Sequence, residues 1–297
     1  MGKKIAVVGS INMDYFIECD QSPKSGETIL GKNFFTSVGG KGANQAVAAS
    51  RLGGKVSMFG SLGNDEHGKV LNSQLQKENI NINQLQLLND ITTGAAFIQI
   101  FKGENKIIVV PGANELTNRA YSQSIASELL NYDIILFQLE IPIETLEYLV
   151  PILYKHNKII IVNPAPAKKL GDELLNCITY LTPNEHEYST VTNQTGSMNE
   201  VLFKFPNKLI ITCGNKGVLY FDGTTIVEVP AMMVDVVDTT GAGDTFTGAF
   251  TVAVSEGKSI EDCVRFGIIA AGLSVTKKGA QTGMPSIDEV ARILKEG

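Results

Sequence analysis

Asp238-Thr-Thr-Gly-Ala-Gly-Asp244-Thr-Phe246 sets two glycines and a carboxylate at the mouth of an apolar run. In that run Phe246, Ala249, Phe250, Ala253 and Val254 recur at helical spacing. A helix that starts here exposes unpaired backbone N–H groups, and its dipole favours negative charge at that end. Gly241 and Gly243 let an anion approach the backbone closely.

Upstream, short apolar runs alternate with helical patterns. Strands are expected at Ile5–Val8, Val56–Phe59, Ile134–Phe137, Ile159–Val162, Leu209–Thr212 and Gly217–Phe221. Helices are expected over Ala43–Leu52, His67–Glu78, Ile143–His156, Thr245–Ser255, Ile260–Val275 and Ile287–Glu296. Fully apolar strands between helices imply an α/β protein with a parallel sheet covered on both faces. Two segments break the rhythm. Asn12 to Val38 holds strand-like stretches (Tyr15–Cys19, Thr28–Gly31, Phe34–Ser37) with no helix between them. Thr93 to Val110 holds two strand candidates around a hairpin signal at Lys102-Gly-Glu-Asn105. The two excursions could combine into a small sheet over a cleft.

The chain has 297 residues, 43% apolar and 19% charged, which fits a globular fold with a substantial core. A formal net charge of −6 argues against a nucleic-acid or membrane surface, although local N–H dipoles can still bind a phosphate. The four cysteines are scattered with no CxxC pair, which favours buried free thiols over a disulfide framework or metal site. Lys3-Lys4 precede only Ile-Ala-Val-Val before Gly9-Ser10, too short for a secretory core, and no apolar run reaches membrane-spanning length. A cytoplasmic protein is the expectation.

Several polar motifs follow the expected strands, where ligands of open α/β sheets bind. Gly9-Ser-Ile-Asn12-Met-Asp14 offers paired donors and acceptors suited to vicinal hydroxyls, or an ordinary turn with local backbone bonds. Gly39-Gly-Lys41-Gly-Ala-Asn44-Gln45 opens a helix with more glycine than a cap requires. Gln138-Leu-Glu140 aims a carboxylate at the same rim, and Asn163-Pro-Ala-Pro166 occupies the next such position. Asn184 and Glu187 could hold a metal-bound water or phosphate, or could cap a helix. Thr212-Cys-Gly214-Asn-Lys216-Gly217 could lie against a nucleotide or form a plain tight turn. A Walker loop is ruled out, because Gly257-Lys258-Ser259 has Val252 where the leading glycine belongs. Asp244, a carboxylate set into an anion site, suits removal of a proton from a group about to attack a phosphate.

In this order and spacing, the segments resemble the ribokinase family of carbohydrate and nucleoside kinases over nearly the whole chain. Gly-Gly-Lys-Gly-Ala-Asn-Gln-Ala-Val-Ala-Ala from Gly39 and Asp-Thr-Thr-Gly-Ala-Gly-Asp-Thr-Phe from Asp238 look like its two signature regions. The resemblance implies one kinase domain over 1–297, a three-layer α/β/α sandwich with a mostly parallel central sheet, and a small β lid from about 12–38 and 93–110. It implies ATP-dependent phosphorylation of D-ribose at the 5-hydroxyl, with 2-deoxyribose or another sugar, or a non-catalytic sugar sensor, as alternatives. Asp244 would be the catalytic base, and Gly241, Ala242 and Gly243 the anion hole. Asn12, Asp14, Gly40, Lys41, Asn44 and Glu140 match sugar-contacting positions. Asn184, Thr212, Gly214, Lys216, Gly217 and Gly243 match nucleotide-contacting ones, and Asn184 with Glu187 matches an element linked to Mg²⁺ and phosphate. Asp238, Thr240, Ser274, Lys277, Gly279 and Gly283 match a monovalent-cation site, K⁺ being the expected ion. A homodimer through the lids is implied as well. Three departures stand out: Ile268 where a histidine can contact adenine, Gly283 where a serine can assist the cation, and a short Asn193–Asn207 segment.

Overall fold

The computed structural model describes residues 2–101 and 104–296. Its strands in chain order are β1 (Lys4–Val8), β2 (Asn12–Cys19), β3 (Gly31–Gly39), β4 (Lys55–Gly63), β5 (Asn81–Leu88), β6 (Gly94–Phe101) and β7 (Glu104–Val110). They continue with β8 (Ile134–Phe137), β9 (Ile159–Val162), β10 (Tyr180–Leu181), β11 (Ile210–Thr212), β12 (Val218–Phe221) and β13 (Ile226–Val229). Six of these form a wholly parallel sheet in the order β10-β9-β8-β1-β4-β5. Parallel bridges Leu181–Leu209 and Asn184–Thr212 join it to the antiparallel trio β11-β12-β13.

The strand code explains the layers. Successive side chains alternate faces, so Ile5 and Val7 enter one core while Ala6 and Val8 enter the other. The first core lies under the helices Lys41–Arg51, Glu66–Lys77, Ala242–Ser255 and Ile260–Ser274; the second lies under Arg119–Leu129 and Ile143–Lys155. The architecture is therefore α/β/α, with a mostly parallel central sheet.

The expected inner strands and long helices are present with ends shifted by a few residues. The differences have local causes. Thr28–Gly31 is not a strand; Gly26 turns at φ +78 and Leu30 is left 92% exposed before β3 begins. The edge strand β5 is polar and half-exposed, so it lacks the apolar signal of the inner strands. The helix Arg119–Leu129 was not expected, although Asn118 caps it and Tyr121, Ile125 and Leu129 line its buried side. The Asn193–Asn207 segment holds a five-residue helix, Met198–Leu202, closed at its start by a Ser197–Glu200 capping box.

β2, β3, β6 and β7 form a separate four-stranded sheet in the order β3-β2-β6-β7. β6 and β7 pair antiparallel with Phe101 opposite Glu104; Lys102 and Gly103, which carry part of the expected hairpin signal, lie outside the described residues. Tyr15 stacks on Phe97 and also meets His67 of the Glu66–Lys77 helix, anchoring this sheet to the body.

One contact sets the geometry of the whole. The alanine-rich helix Lys41–Arg51 packs directly on Ala242–Ser255. At their closest approach a Cβ on Gly248 would stand 2.7 Å from the Ala48 Cβ and 2.8 Å from the Gln45 carbonyl. Gly248→Val should therefore force the helices apart and lower the unfolding free energy by about 1–3 kcal/mol in urea denaturation.

Candidate active site

The sheet order reverses at β1, whose neighbours β4 and β8 lead away on opposite sides. Ligands of such sheets bind beyond the carboxyl ends at this point. Ser10 follows β1, Gln138 to Glu140 follow β8, Asn163 follows β9, and Asn184 lies just past β10. The helices Lys41–Arg51 and Ala242–Ser255 begin at the same rim.

Asp244 lies in the first turn of its helix and is 7% exposed. Asn44 donates its Nδ2 to Oδ2 at 2.9 Å, and Gln45 donates its Nε2 to Oδ1 at 2.9 Å. Both donors come from the facing helix, so the close packing at Gly248 delivers them. Burial pushes the Asp244 carboxyl above its ordinary range, while the Lys41 charge and the two amides oppose the rise and Glu140 adds to it. An ionised carboxylate offers about four acceptor sites, and these two amides leave acceptor capacity on each oxygen.

Gly241 caps this helix in the left-handed region, φ +76, and any Cβ there would come 2.9 Å from the Ala280 Cβ. The Ala242 amide already donates to the Thr239 carbonyl at 3.2 Å, and the Thr245 amide makes the first helical bond to Gly241 at 2.8 Å. The Gly243 and Asp244 amides thus remain at the open end of the helix, and a Cβ on Gly243 would meet nothing within 4 Å. That end can take an anion.

The charged groups beside Asp244 form one cluster. Glu140 accepts from the Ser10 hydroxyl at 2.6 Å and from the Lys41 amide at 3.0 Å, so it holds the start of the Lys41–Arg51 helix. Burial works against the Lys41 ammonium, yet Asp244, Glu140, Glu187 and Asp14 together lift its pKa above the ordinary lysine value. Asp14 is pushed up to about 7, first by burial and then by the negative charges of Glu140 and Asp244, with Lys41 opposing. Gly39 leaves room for that carboxylate, since a Cβ there would come 2.1 Å from Asp14 Oδ2. Gly40, at φ +89, lets the chain pass the Asn12 amide where a Cβ would approach to 2.7 Å. Asn12 begins β2 rather than sitting in a turn, and its Oδ1 accepts from Asn114 Nδ2 at 2.7 Å.

The remaining candidates fall in two neighbouring loops. Asn184 bridges to Thr212, which brings the Asn184–Glu187 turn beside the Thr212–Gly217 loop. The Asn184 amide donates to Glu187 Oε2 at 2.9 Å, and its side-chain oxygen accepts from the His186 amide at 2.8 Å. These bonds are local to the turn and do not cap the helix Tyr188–Thr192 that follows, and Glu187 is also close enough to raise the Lys41 pKa. Gly214 and Gly217 both adopt positive φ. The glycine at 217 answers to its own chain, because a Cβ would stand 2.0 Å from the Val229 carbonyl, whereas Gly214 faces open space. Lys216 closes the short turn between them. Ile268 is buried in the first core.

Asp238 accepts from the Thr240 amide and hydroxyl at 2.9 and 2.6 Å and from the Gly279 amide at 2.8 Å. Burial alone would raise its carboxyl, but these bonds and the Lys278 charge hold it below the ordinary value. Asp238 thereby ties the loop before Asp244 to the turn after Ser274 and Lys277. A Cβ on Gly283 would come 2.6 Å from the Ser274 carbonyl and 3.6 Å from that of Lys277, so these carbonyls crowd one small space.

A family model described as pfkB family carbohydrate kinase matches residues 2–287. The chain belongs to this family. It is 44% identical over 292 residues to the ribokinase of Bacillus subtilis (strain 168), covering 98% of this chain and 99% of that one. It is 33% identical to the deoxyribokinase of Salmonella typhimurium, with 98% of each chain covered. Among solved structures, ribokinase of Arabidopsis thaliana complexed with ribose and ATP superposes with a TM-score of 0.89 at 35% identity, over 99% of both chains.

The structure also brings forward residues given no role from sequence. Gln45, Gln138, Asn163 and Gln281 lie buried around Asp244, and Asn114 orients Asn12. Gln138 and Asn163 carried a usable signal: each is a polar residue directly after a four-residue apolar strand. Asn114 carried none, being a lone amide in a short turn far along the chain.

The Asp14 shift has a sign that can be tested. Its native pKa of about 7 exceeds the ordinary 3.8, so the folded protein binds the extra proton between these values and loses stability as pH rises through that window. The loss is complete above about pH 7 and is on the order of a few kcal/mol. Asp14→Asn should therefore raise the unfolding free energy at pH 8 and change it little at pH 4, as measured by urea denaturation at both.

Proposed function

We propose that the protein transfers the γ-phosphoryl group of ATP to the 5-hydroxyl of D-ribose, giving D-ribose 5-phosphate. The observation that carries this reading is the buried Asp244, oriented by two amides, at the open amino end of a helix beside Asp14, Lys41 and Glu140. Near-full-length likeness to ribokinases, one of them complexed with ribose and ATP, supports the choice of substrates.

In this mechanism Asn12, Asp14, Gly40, Lys41, Asn44 and Glu140 bind the sugar hydroxyls. Directional bonds to hydroxyls discriminate strongly, because a missing hydroxyl strands a buried polar partner. Asp244 accepts the proton of the 5-hydroxyl as its oxygen attacks the γ-phosphorus and the bond to the ADP oxygen breaks. The open amides of Gly243 and Asp244, at the end of the Gly241–Gly243 loop, stabilise the charge that develops on the transferred group. Asn184 and the loop Thr212, Gly214, Lys216 and Gly217 receive the nucleotide. The sheet of β3, β2, β6 and β7 acts as a lid within a single kinase domain and excludes water on closing.

Two cations fit the residues present. Glu187 spends one carboxylate oxygen on the Asn184 amide and keeps the other without a hydrogen bond among the described residues, which suits a water-rich Mg²⁺ site shared with phosphates. Mg²⁺ would neutralise charge on the terminal phosphates. Near Asp238 and Thr240 the Ser274 and Lys277 carbonyls crowd one small space beside Gly283; with Gly279 and Gly283 they would offer neutral ligands suited to K⁺, which would brace the anion loop. The separate β sheet exposes Phe34, Ile17, Phe97 and Ile108 on one face, an apolar surface that supports a homodimer through the lids. Action in the cytoplasm, with no part for nucleic acid or membrane, belongs to the same reading; among the described residues no helix is long and apolar enough to cross a membrane.

The likeness to a deoxyribokinase favours 2-deoxyribose as the second reading, since only the 2-hydroxyl separates the sugars. A non-catalytic sugar sensor would need neither Asp244 nor the open helix end. ADP release should be assayed on ribose, 2-deoxyribose, fructose and adenosine, with and without Mg²⁺ and K⁺. Ribose should turn over fastest, with turnover lost without Mg²⁺ and lowered without K⁺. Fructose or adenosine matching ribose would overturn the assignment, and ribose-dependent thermal stabilisation without ADP would favour the sensor.

A further inference from the structure

The amides that hold Asp244 are themselves held. Asn44 Oδ1 accepts from Gln281 Nε2 at 3.0 Å, and Gln45 Oε1 accepts from Gln138 Nε2 at 2.7 Å. Two arms converge on the carboxylate: Gln281 to Asn44 to Asp244, and Gln138 to Gln45 to Asp244. Gln45 Nε2 also donates to Asn163 Oδ1 at 3.1 Å, and Asn163 is fixed by donating to the Thr182 carbonyl at 2.8 Å. All three outer amides, Gln281, Gln138 and Asn163, are buried.

An ionised carboxylate only accepts. Asn44 and Gln45 must therefore turn their NH₂ groups inward, which turns their carbonyls outward and requires NH₂ groups from Gln281 and Gln138. The polarity set at Asp244 runs to the end of each arm and stops there. Gln138 Oε1 and Gln281 Oε1 are the two buried side-chain polar atoms without a hydrogen-bond partner among the described residues. A stranded buried carbonyl costs roughly 1–3 kcal/mol, and both such costs fall at the far ends of one network. Nothing in the packing explains that coincidence, while a network polarised from its centre does.

We propose that Gln281 and Gln138 are positioning residues that keep Asn44 and Gln45 turned as donors, and so keep Asp244 ionised and aimed. The proposal rests on Asp244 being the base of the reaction proposed above. Gln281 is well placed for this work. Its backbone carbonyl and that of Met284 accept from Arg51 Nη1 at 2.5 and 3.2 Å, and Arg51 is itself paired with Glu78 at 2.6 Å. The turn that presents Gln281 is thereby clamped to the far end of the helix that presents Asn44.

The test is the titration of the Asp244 carboxyl, followed by ¹³C NMR and assigned by its loss in Asp244→Asn. It is run in the wild type, Gln281→Leu, Gln281→Glu and Gln138→Leu. Leucine removes the stranded Oε1 and leaves Asn44 Oδ1, or Gln45 Oε1, unpaired in its place, so the number of stranded acceptors is unchanged and the variants should stay folded. With an arm depolarised, the Asp244 midpoint should rise by about half a pH unit or more, and the acid limb of kcat should move with it. Gln281→Glu, which puts an acceptor against Asn44 Oδ1, should move it further. An unchanged midpoint in the folded variants overturns the proposal. So does collapse of both leucine variants, which would assign the glutamines to packing. If wild-type protein turns over no sugar while the midpoint still follows these residues, the kinase reading fails and the network stands.

Discussion

Everything at this site depends on how closely two helices can approach. Asp244 comes from the helix Ala242–Ser255 and its two amide donors from Lys41–Arg51, some two hundred positions earlier in the chain. Gly248 against Ala48 brings the backbones near enough for short amide side chains to bridge them. A larger residue at that contact would separate a carboxylate from the groups that make its burial tolerable. A buried charge without partners would neutralise by taking up a proton. The fold's small-residue seam and the chemistry of its cleft are thus one constraint.

The charge arrangement follows the same logic. Asp14, Glu140 and Asp244 crowd around the single ammonium of Lys41, and burial, with the repulsion of Glu140 and Asp244 added to it, lifts Asp14 to about 7. Such an arrangement destabilises the empty protein and suits a site completed by a ligand rich in hydroxyl donors. Perturbed carboxylates in a cleft at the switch point of a parallel sheet are where catalytic groups are expected.

The sequence made much of this legible, for physical reasons. Strands such as Ile134–Phe137 are buried on both faces and so carry no polar residue. β5 escaped because its edge position leaves it half polar, and the small helices escaped because they are too short to show a period. The site's principal residues were legible because glycines and charges stand directly at strand and helix ends. Their supports were not: Asn114 meets Asn12, and Gln281 meets Asn44, only once the chain has folded. At Asn184 and Glu187 local reasoning left capping and phosphate chemistry open. The structure has both side chains bonded to the backbone of their own turn with no side-chain cap on the helix Tyr188–Thr192, and Glu187 is still near enough to act on Lys41.

The central claim is that Asp244 takes the proton and does little else for binding. The direct measurement is Asp244→Asn, with turnover followed by ADP release and ribose affinity by calorimetry on the same preparation. Turnover should fall by a factor of about 10²–10⁴ while ribose still binds with nearly wild-type affinity. Turnover close to that of the wild type would contradict the account.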